Sequence, residues 1–302
     1  MRIFSRFACA AVLGLGVGFA QAQSPVVVSS KIDTEGSVLG QLIIQTLEAN
    51  GVPTENRLQL GGTSIVREAI KAGEIDLYPE YTGNGAFFFD RADAPGWNDA
   101  DTAYEMVSEL DRERNDLIWL EPAQANNTWA MSVRRDLAEA EGLETLDDLA
   151  AYLDDGGDFR FAASAEFVDS ESALPAFQSA YGFELSSDQL LTLSGGDTAA
   201  TMRAAAQPDN DVNGAMTYGT DGGVNALGLV VLEDTRGVQP VYQPTPVVRA
   251  GVLEAYPQIA DSLAPLFSQL DLETLQQLNA RVAVEGQPAR DVAADFLEQM
   301  ND

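Results

Sequence analysis

The chain of 302 residues contains no histidine and a single cysteine, Cys9. Without histidine or a second thiol, the usual nucleophile–base pairs and the common metal constellations lose their principal members. A carboxylate pair is the one acid–base device left, so the composition points toward binding rather than catalysis. Basic residues are also scarce: 17 Lys and Arg stand against 47 Asp and Glu. A surface of that sign repels nucleic acid and anionic lipid, which excludes both as partners. Nor is there an apolar run long enough to span a bilayer.

What is present begins with a leader. Arg2 and Arg6 precede an apolar run from Phe7 to Phe19, and Ala20-Gln21-Ala22 supplies a small-x-small cleavage site. Residues 1–22 are predicted to be a secretory signal peptide. Cys9 lies inside it, which leaves a mature chain of 280 residues without cysteine and therefore without disulfides. An exported protein of this size must be stabilised by core burial, as expected in a bacterial periplasm, and it is large enough to divide into two lobes.

Strand and helix patterns alternate along the mature chain, the signature of mostly parallel sheets flanked by helices. Pro25–Lys31 is a strand, followed by a helix capped by Asp33 or Thr34 and ended at Asn50-Gly51. Arg57–Leu60 is a second strand, and Gly61-Gly62-Thr63-Ser64 opens a helix that Gly73 closes. That turn is either an anion seat or an ordinary βα loop with Thr63 or Ser64 as cap. Ile75–Tyr78 alternates as a half-buried strand, with Pro79 ending it and exposing Glu80-Tyr81-Thr82-Gly83. Thr102–Asn115 is helical and Leu117–Leu120 a strand. Residues 121–127 form a first crossing, after which Thr128–Val133 resumes as a strand. A second alternation follows: a helix from Thr145, strand Phe159–Ala163, a helix begun by Pro175, strand Leu190–Leu193, a helix capped by Asp197, then strands Val212–Tyr218 and Leu229–Leu232. Pro240–Arg249 reads as a return crossing, and three C-terminal helices cap the first lobe. The expected organisation is lobe 1 over 23–126 and 240–302, and lobe 2 over 127–239.

Four aromatic residues stand at predicted strand ends or edges: Tyr81, Trp129, Phe167 and Tyr218. Aromatic faces attract cations that cannot be hydrogen-bonded, quaternary ammonium above all, with on the order of 0.5–2 kcal/mol per ring. Tyr78 adds a phenol near Tyr81, and Asn127 a polar group beside Trp129. Phe167 and the tyrosines are also read as core fillers, and Asp221 as either a turn residue or a cation partner.

Three segments, Gly61–Ile70, Gly73–Gly83 and Tyr218-Gly219-Thr220-Asp221-Gly222, resemble recurrent motifs of the substrate-binding proteins of bacterial osmoprotectant (glycine betaine, choline, carnitine) ABC transporters. The resemblance runs from about Val26 to the C-terminus. It implies a two-lobed α/β periplasmic binding fold of type II with two hinge crossings. It further implies a quaternary-ammonium cage at the cleft, with Tyr81, Trp129 and Tyr218 as cage residues and Thr63 as a polar contact, and the Asp33-Thr34 turn nearby. A membrane permease is the implied partner, the receptor is expected to be a monomer, and no cofactor or metal is expected. Two further readings stand beside it. One is an amino-acid or small-anion receptor in which Gly61–Ser64 and Arg67 hold a carboxylate. The other is a secreted hydrolase using Glu80 with Asp221 or Glu166.

Overall fold

A computed structural model describes residues 24–194, 198–207 and 211–301. The predicted leader and the Asp197 cap lie outside them. Among the described residues, ten strands form two five-stranded sheets. Sheet 1 contains β1 (Val26–Lys31), β2 (Thr54–Gly61), β3 (Leu77–Tyr81), β4 (Leu117–Trp119) and β10 (Pro244–Arg249), in the order β2-β1-β3-β10-β4. Sheet 2 contains β5 (Trp129–Arg134), β6 (Phe161–Ser164), β7 (Leu190–Leu193), β8 (Gly214–Tyr218) and β9 (Leu229–Val231), in the order β7-β6-β8-β5-β9. In each sheet only the strand that follows a crossing, β10 or β5, runs against the others. The sheets are therefore mixed in pairing although mostly parallel in direction.

Helices cover both faces of each sheet, as buried parallel strands require. On sheet 1 the helix Thr34–Ala49 and the C-terminal helices pack one side through Leu39, Leu42, Ile43, Phe267 and Leu275. The helices Thr63–Ala72 and Ala100–Asn115 pack the other through Val66, Ile70 and Val107, in one cluster with Trp119 of β4. Local signals account for many of the boundaries. Asp33 accepts from the Gly36 amide at 2.6 Å and caps its helix. Gly73 takes the left-handed conformation that ends the next one. Thr145 and Asp148 form a reciprocal capping box, and Pro175 sits in the first turn of Leu174–Tyr181.

Four expectations need correction. Pro79 does not end β3 but sits within it, opposite Pro246 of β10. The Pro246 carbonyl accepts from the Leu120 amide, so this residue faces β4. Pro79 and Pro246 thus form a pair that exchanges no hydrogen bonds, so neither missing N–H interrupts the β3–β10 ladder; that of Pro246 is turned toward β4. Secondly, β3 is buried throughout, Glu80 included. Thirdly, Pro240–Arg249 is a crossing only as far as Gln243; the remainder is β10, a central strand despite two prolines. Fourthly, Gly62, rather than Thr63 or Ser64, occupies the cap of the second helix, without a side-chain bond.

Candidate functional site

The cleft lies where the carboxyl ends of β1, β3, β6 and β8 meet the two crossings, the usual place for ligands in open α/β sheets. Because β5 and β10 run against their neighbours, each begins at that same edge. The crossings therefore deliver Asn127, Thr128, Trp129 and Tyr242 to the cleft. The two crossings run side by side and are tied together. The Asn127 amide donates to the Tyr242 carbonyl at 2.9 Å, and the Thr128 hydroxyl to the Pro240 carbonyl at 2.8 Å. The cleft has a volume of about 1390 Å³, above the roughly 300–1,000 Å³ of ordinary small-molecule pockets.

Asp33, Thr34, Thr63, Tyr81, Asn127, Trp129, Tyr218 and Asp221 all line this cleft. Trp129 and Tyr218 are direct partners across β5 and β8, which puts both rings on one face of sheet 2. Tyr81 ends β3 on the opposite side. The Tyr218 amide donates to the Asp221 carboxylate at 2.8 Å, so Asp221 closes its own turn while also lining the cleft.

Tyr78 and Phe167 are placed elsewhere. Tyr78 is fully buried in the core of sheet 1 and donates to Glu80 at 3.1 Å. Phe167 is fully buried in the core of sheet 2, edge-on to Trp129 with centroids 5.7 Å apart. Its role is to back the indole: a helix capped by Ser164 turns Phe167 inward, leaving Trp129 between it and the cleft. Arg67 does not reach the cleft either. It is buried in a bidentate pair with Asp111 at 2.7 and 2.6 Å, and stacks on Phe88 at 4.4 Å. Asp111 also accepts from Trp119 and Asn115. The carboxylate-holding role considered for Arg67 is thereby overturned. Glu80, considered as a catalytic acid, is committed to a buried ion pair with Lys31 and accepts from Asn84 and the Tyr81 amide as well.

The cleft also contains residues that the sequence reading passed over. Tyr242 lies against Gly83, where a Cβ would come within 2.9 Å of its ring, so only glycine permits the contact. Burial pushes its phenol up to about 12, with Tyr218 and Glu80 adding to the effect. Lys31 holds its ammonium 4.4 Å from the Tyr81 ring centroid. Glu35, in the first turn of its helix, is buried and accepts from Tyr81 Oη at 2.7 Å, Asn127 Nδ2 at 3.1 Å and Asn279 Nδ2 at 2.7 Å. Burial raises its carboxyl above the ordinary value, against the pull of Thr220, Tyr81 and Asn279. The Tyr81 phenol is raised well above its ordinary value, by burial first and by the Glu35 charge second. Of these, only Tyr242 had a usable signal, as an aromatic on a crossing. Glu35 and Asn279 meet across 244 residues of chain, a contact that no local pattern announces.

The helix Leu272–Ala283 carries Asn279 and joins the two sheets' territories. It packs in the core of sheet 1 through Leu275 and Leu278. It also reaches the loop after β8: Gln276 donates to the Gly219 carbonyl at 2.7 Å and Asn279 to the Thr220 carbonyl at 2.9 Å. The C-terminal helices are thus more than the cap on one lobe that the sequence suggested.

Two helix-flanked sheets joined by paired crossings, with side chains from both meeting in the intervening cleft, define a type II periplasmic binding protein. The chain belongs to the family described as the substrate binding domain of ABC-type glycine betaine transport systems, whose model matches residues 24–299. It is 60% identical over 279 residues to the glycine betaine-binding protein YehZ of Escherichia coli strain K12, covering 92% of each chain. It is 32% identical over 301 residues to a glycine-betaine-binding protein of Pseudomonas aeruginosa, covering 97% of this chain and 94% of that one. The structure superposes on apo YehZ from E. coli with a TM-score of 0.89, covering 92% of this chain and 99% of the other.

Proposed function

We propose that this chain is a periplasmic receptor that binds a quaternary-ammonium compatible solute, glycine betaine or choline, and delivers it to an ABC-transporter permease. The observation that carries this reading is the set of aromatic rings around one cleft. Tyr81 comes from sheet 1, Trp129 and Tyr218 from sheet 2, and Tyr242 from the crossing between them. Such rings solvate a charge that carries no N–H to donate. The two relatives named for glycine betaine binding support the same ligand class. Thr63, Thr34 and Asp33 stand on the sheet 1 side of the cleft as polar contacts, and Asn127 and Asp221 on the other.

The receptor works as two lobes, 23–126 with 240–302 and 127–239, that close about the crossings when a solute contacts both. It carries out no chemistry on the solute. The leader at residues 1–22 directs export, and the mature protein acts as a monomer in the periplasm. Among the described residues no helix is long and apolar enough to cross a membrane. Calorimetric titration with glycine betaine, choline and carnitine, followed in parallel by tryptophan emission, tests the ligand class. Saturable heat with at least one of them is expected; absence of heat and of any emission change at millimolar ligand refutes it.

A further inference from the structure

Among the described residues, the Glu35 carboxylate has no lysine or arginine within ion-pairing distance, although it is buried. Its surroundings are donors: the phenol of Tyr81 and the side-chain amides of Asn127 and Asn279. These three donors, with the Thr220 hydroxyl as a fourth, converge on two carboxyl oxygens and offset part of what burial costs their charge. The amide oxygens of Asn127 and Asn279 are themselves buried with no hydrogen-bond partner among the described residues, and both residues line the cleft. Lys31, 4.4 Å from the Tyr81 ring centroid, is already matched by Glu80. Lys31 and Glu80 together are neutral, which leaves the Glu35 carboxyl, buried beside Tyr81, without a cation of its own among the described residues.

A buried anion left unpaired is costly unless something completes it. From this arrangement we infer that Glu35 is the counter-charge for the ligand's ammonium and a determinant of specificity for charge over shape. It acts in two ways. Glu35 lines the cleft from a buried position, so its field acts there with little screening by water. It also draws the Tyr81 hydroxyl proton toward itself, which leaves the ring face more electron-rich and a better seat for a cation. Glu35, which lines the cleft behind Tyr81, is thus a positioning and polarising residue. The inference rests on the proposed function, since it presupposes a cationic group in this cleft.

The test compares choline with 3,3-dimethyl-1-butanol, in which carbon replaces the charged nitrogen at nearly the same shape. Both are titrated calorimetrically into wild type and Glu35→Gln. The Glu35→Gln variant is expected to lower the ratio of choline affinity to isostere affinity by about tenfold, the order expected for loss of one partly screened unit charge. Affinity for the isostere should change little. An unchanged ratio, or equal weakening of both ligands, overturns the inference. Should Glu35→Gln fail to fold, Tyr81→Phe cuts the hydroxyl link while keeping the ring. It is expected to weaken choline severalfold and leave the isostere unaffected; parallel loss again overturns the inference. A wild-type protein that binds neither choline nor glycine betaine refutes the proposed function itself, whereas tight wild-type binding with an unaltered ratio refutes only the role of Glu35.

Discussion

Trp129 offers the most direct measure of how far aromatic faces carry ligand affinity. Replacing it by leucine keeps an apolar side chain against Phe167 and removes the ring quadrupole. A desolvated cation–π contact contributes about 0.5–2 kcal/mol, so the dissociation constant for choline or glycine betaine should rise between about twofold and thirtyfold. The edge-on contact with Phe167 at 5.7 Å is lost as well. That contact is worth about 0.5–1.5 kcal/mol, which in a chain of this size lowers the melting temperature by only a few degrees. Affinity and stability are therefore separable, by calorimetry on one side and thermal circular dichroism on the other. Emission gives a third readout. Of the three tryptophans, Trp97 and Trp119 are both 3% exposed, and Trp129 alone is partly exposed at the cleft. Ligand-dependent emission should largely disappear in Trp129→Leu. Undiminished affinity for the quaternary ammonium in a folded Trp129→Leu protein would refute the cage.

Three more outcomes follow from the geometry. Asp111→Ala leaves Arg67 buried without its partner and orphans the Trp119 indole N–H; a loss of about 3–5 kcal/mol is expected in denaturant melts, and Arg67→Met combined with Asp111→Leu should restore most of it. Gly222→Val places a Cβ within 2.2 Å of the Ala280 amide nitrogen, which is backbone and cannot rotate away. Small-angle scattering should report a wider molecule and calorimetry a weaker ligand, with unchanged dimensions and affinity arguing against that contact as a tie between the two sheets' territories. For Glu35 the carboxyl is raised in the folded state, so the fold binds its proton more tightly than the unfolded chain does. Its contribution to stability is full below the ordinary value of 4.5 and is lost as pH rises through the folded value. The melting temperature of wild type relative to Glu35→Gln should therefore fall as pH is raised across that window, and a pH-independent difference would contradict the burial.

Much of the fold was legible because it is locally signalled. Asp33, Gly73, the Thr145 capping box and Pro175 each mark a helix end by their own chemistry, and Leu190–Leu193 is a strand by composition alone. Long-range pairing was not legible. Pro244 and Pro246 argue against a strand until their position opposite β3 is known, since only the partner's register shows that their absent N–H groups are not needed there. Trp97 is buried although its neighbours from 90 to 101 are polar, because it packs on Gly85 and Val107 from elsewhere in the chain. In the cleft, aromatics at strand ends were readable, while Lys31, Glu35 and Asn279 were not. A carboxylate early in a helix looks like an ordinary dipole partner, and only the fold reveals that Tyr81, Asn127 and Asn279 have enclosed it.

The two hydrogen bonds from helix Leu272–Ala283 to the loop at Gly219–Thr220 add a third anchor to the two strands that join the halves. Two parallel tethers permit both bending and twisting; a third, set off their line, leaves essentially a single angle free. A pair of spectroscopic labels across the mouth of the cleft would then track the whole motion with one distance.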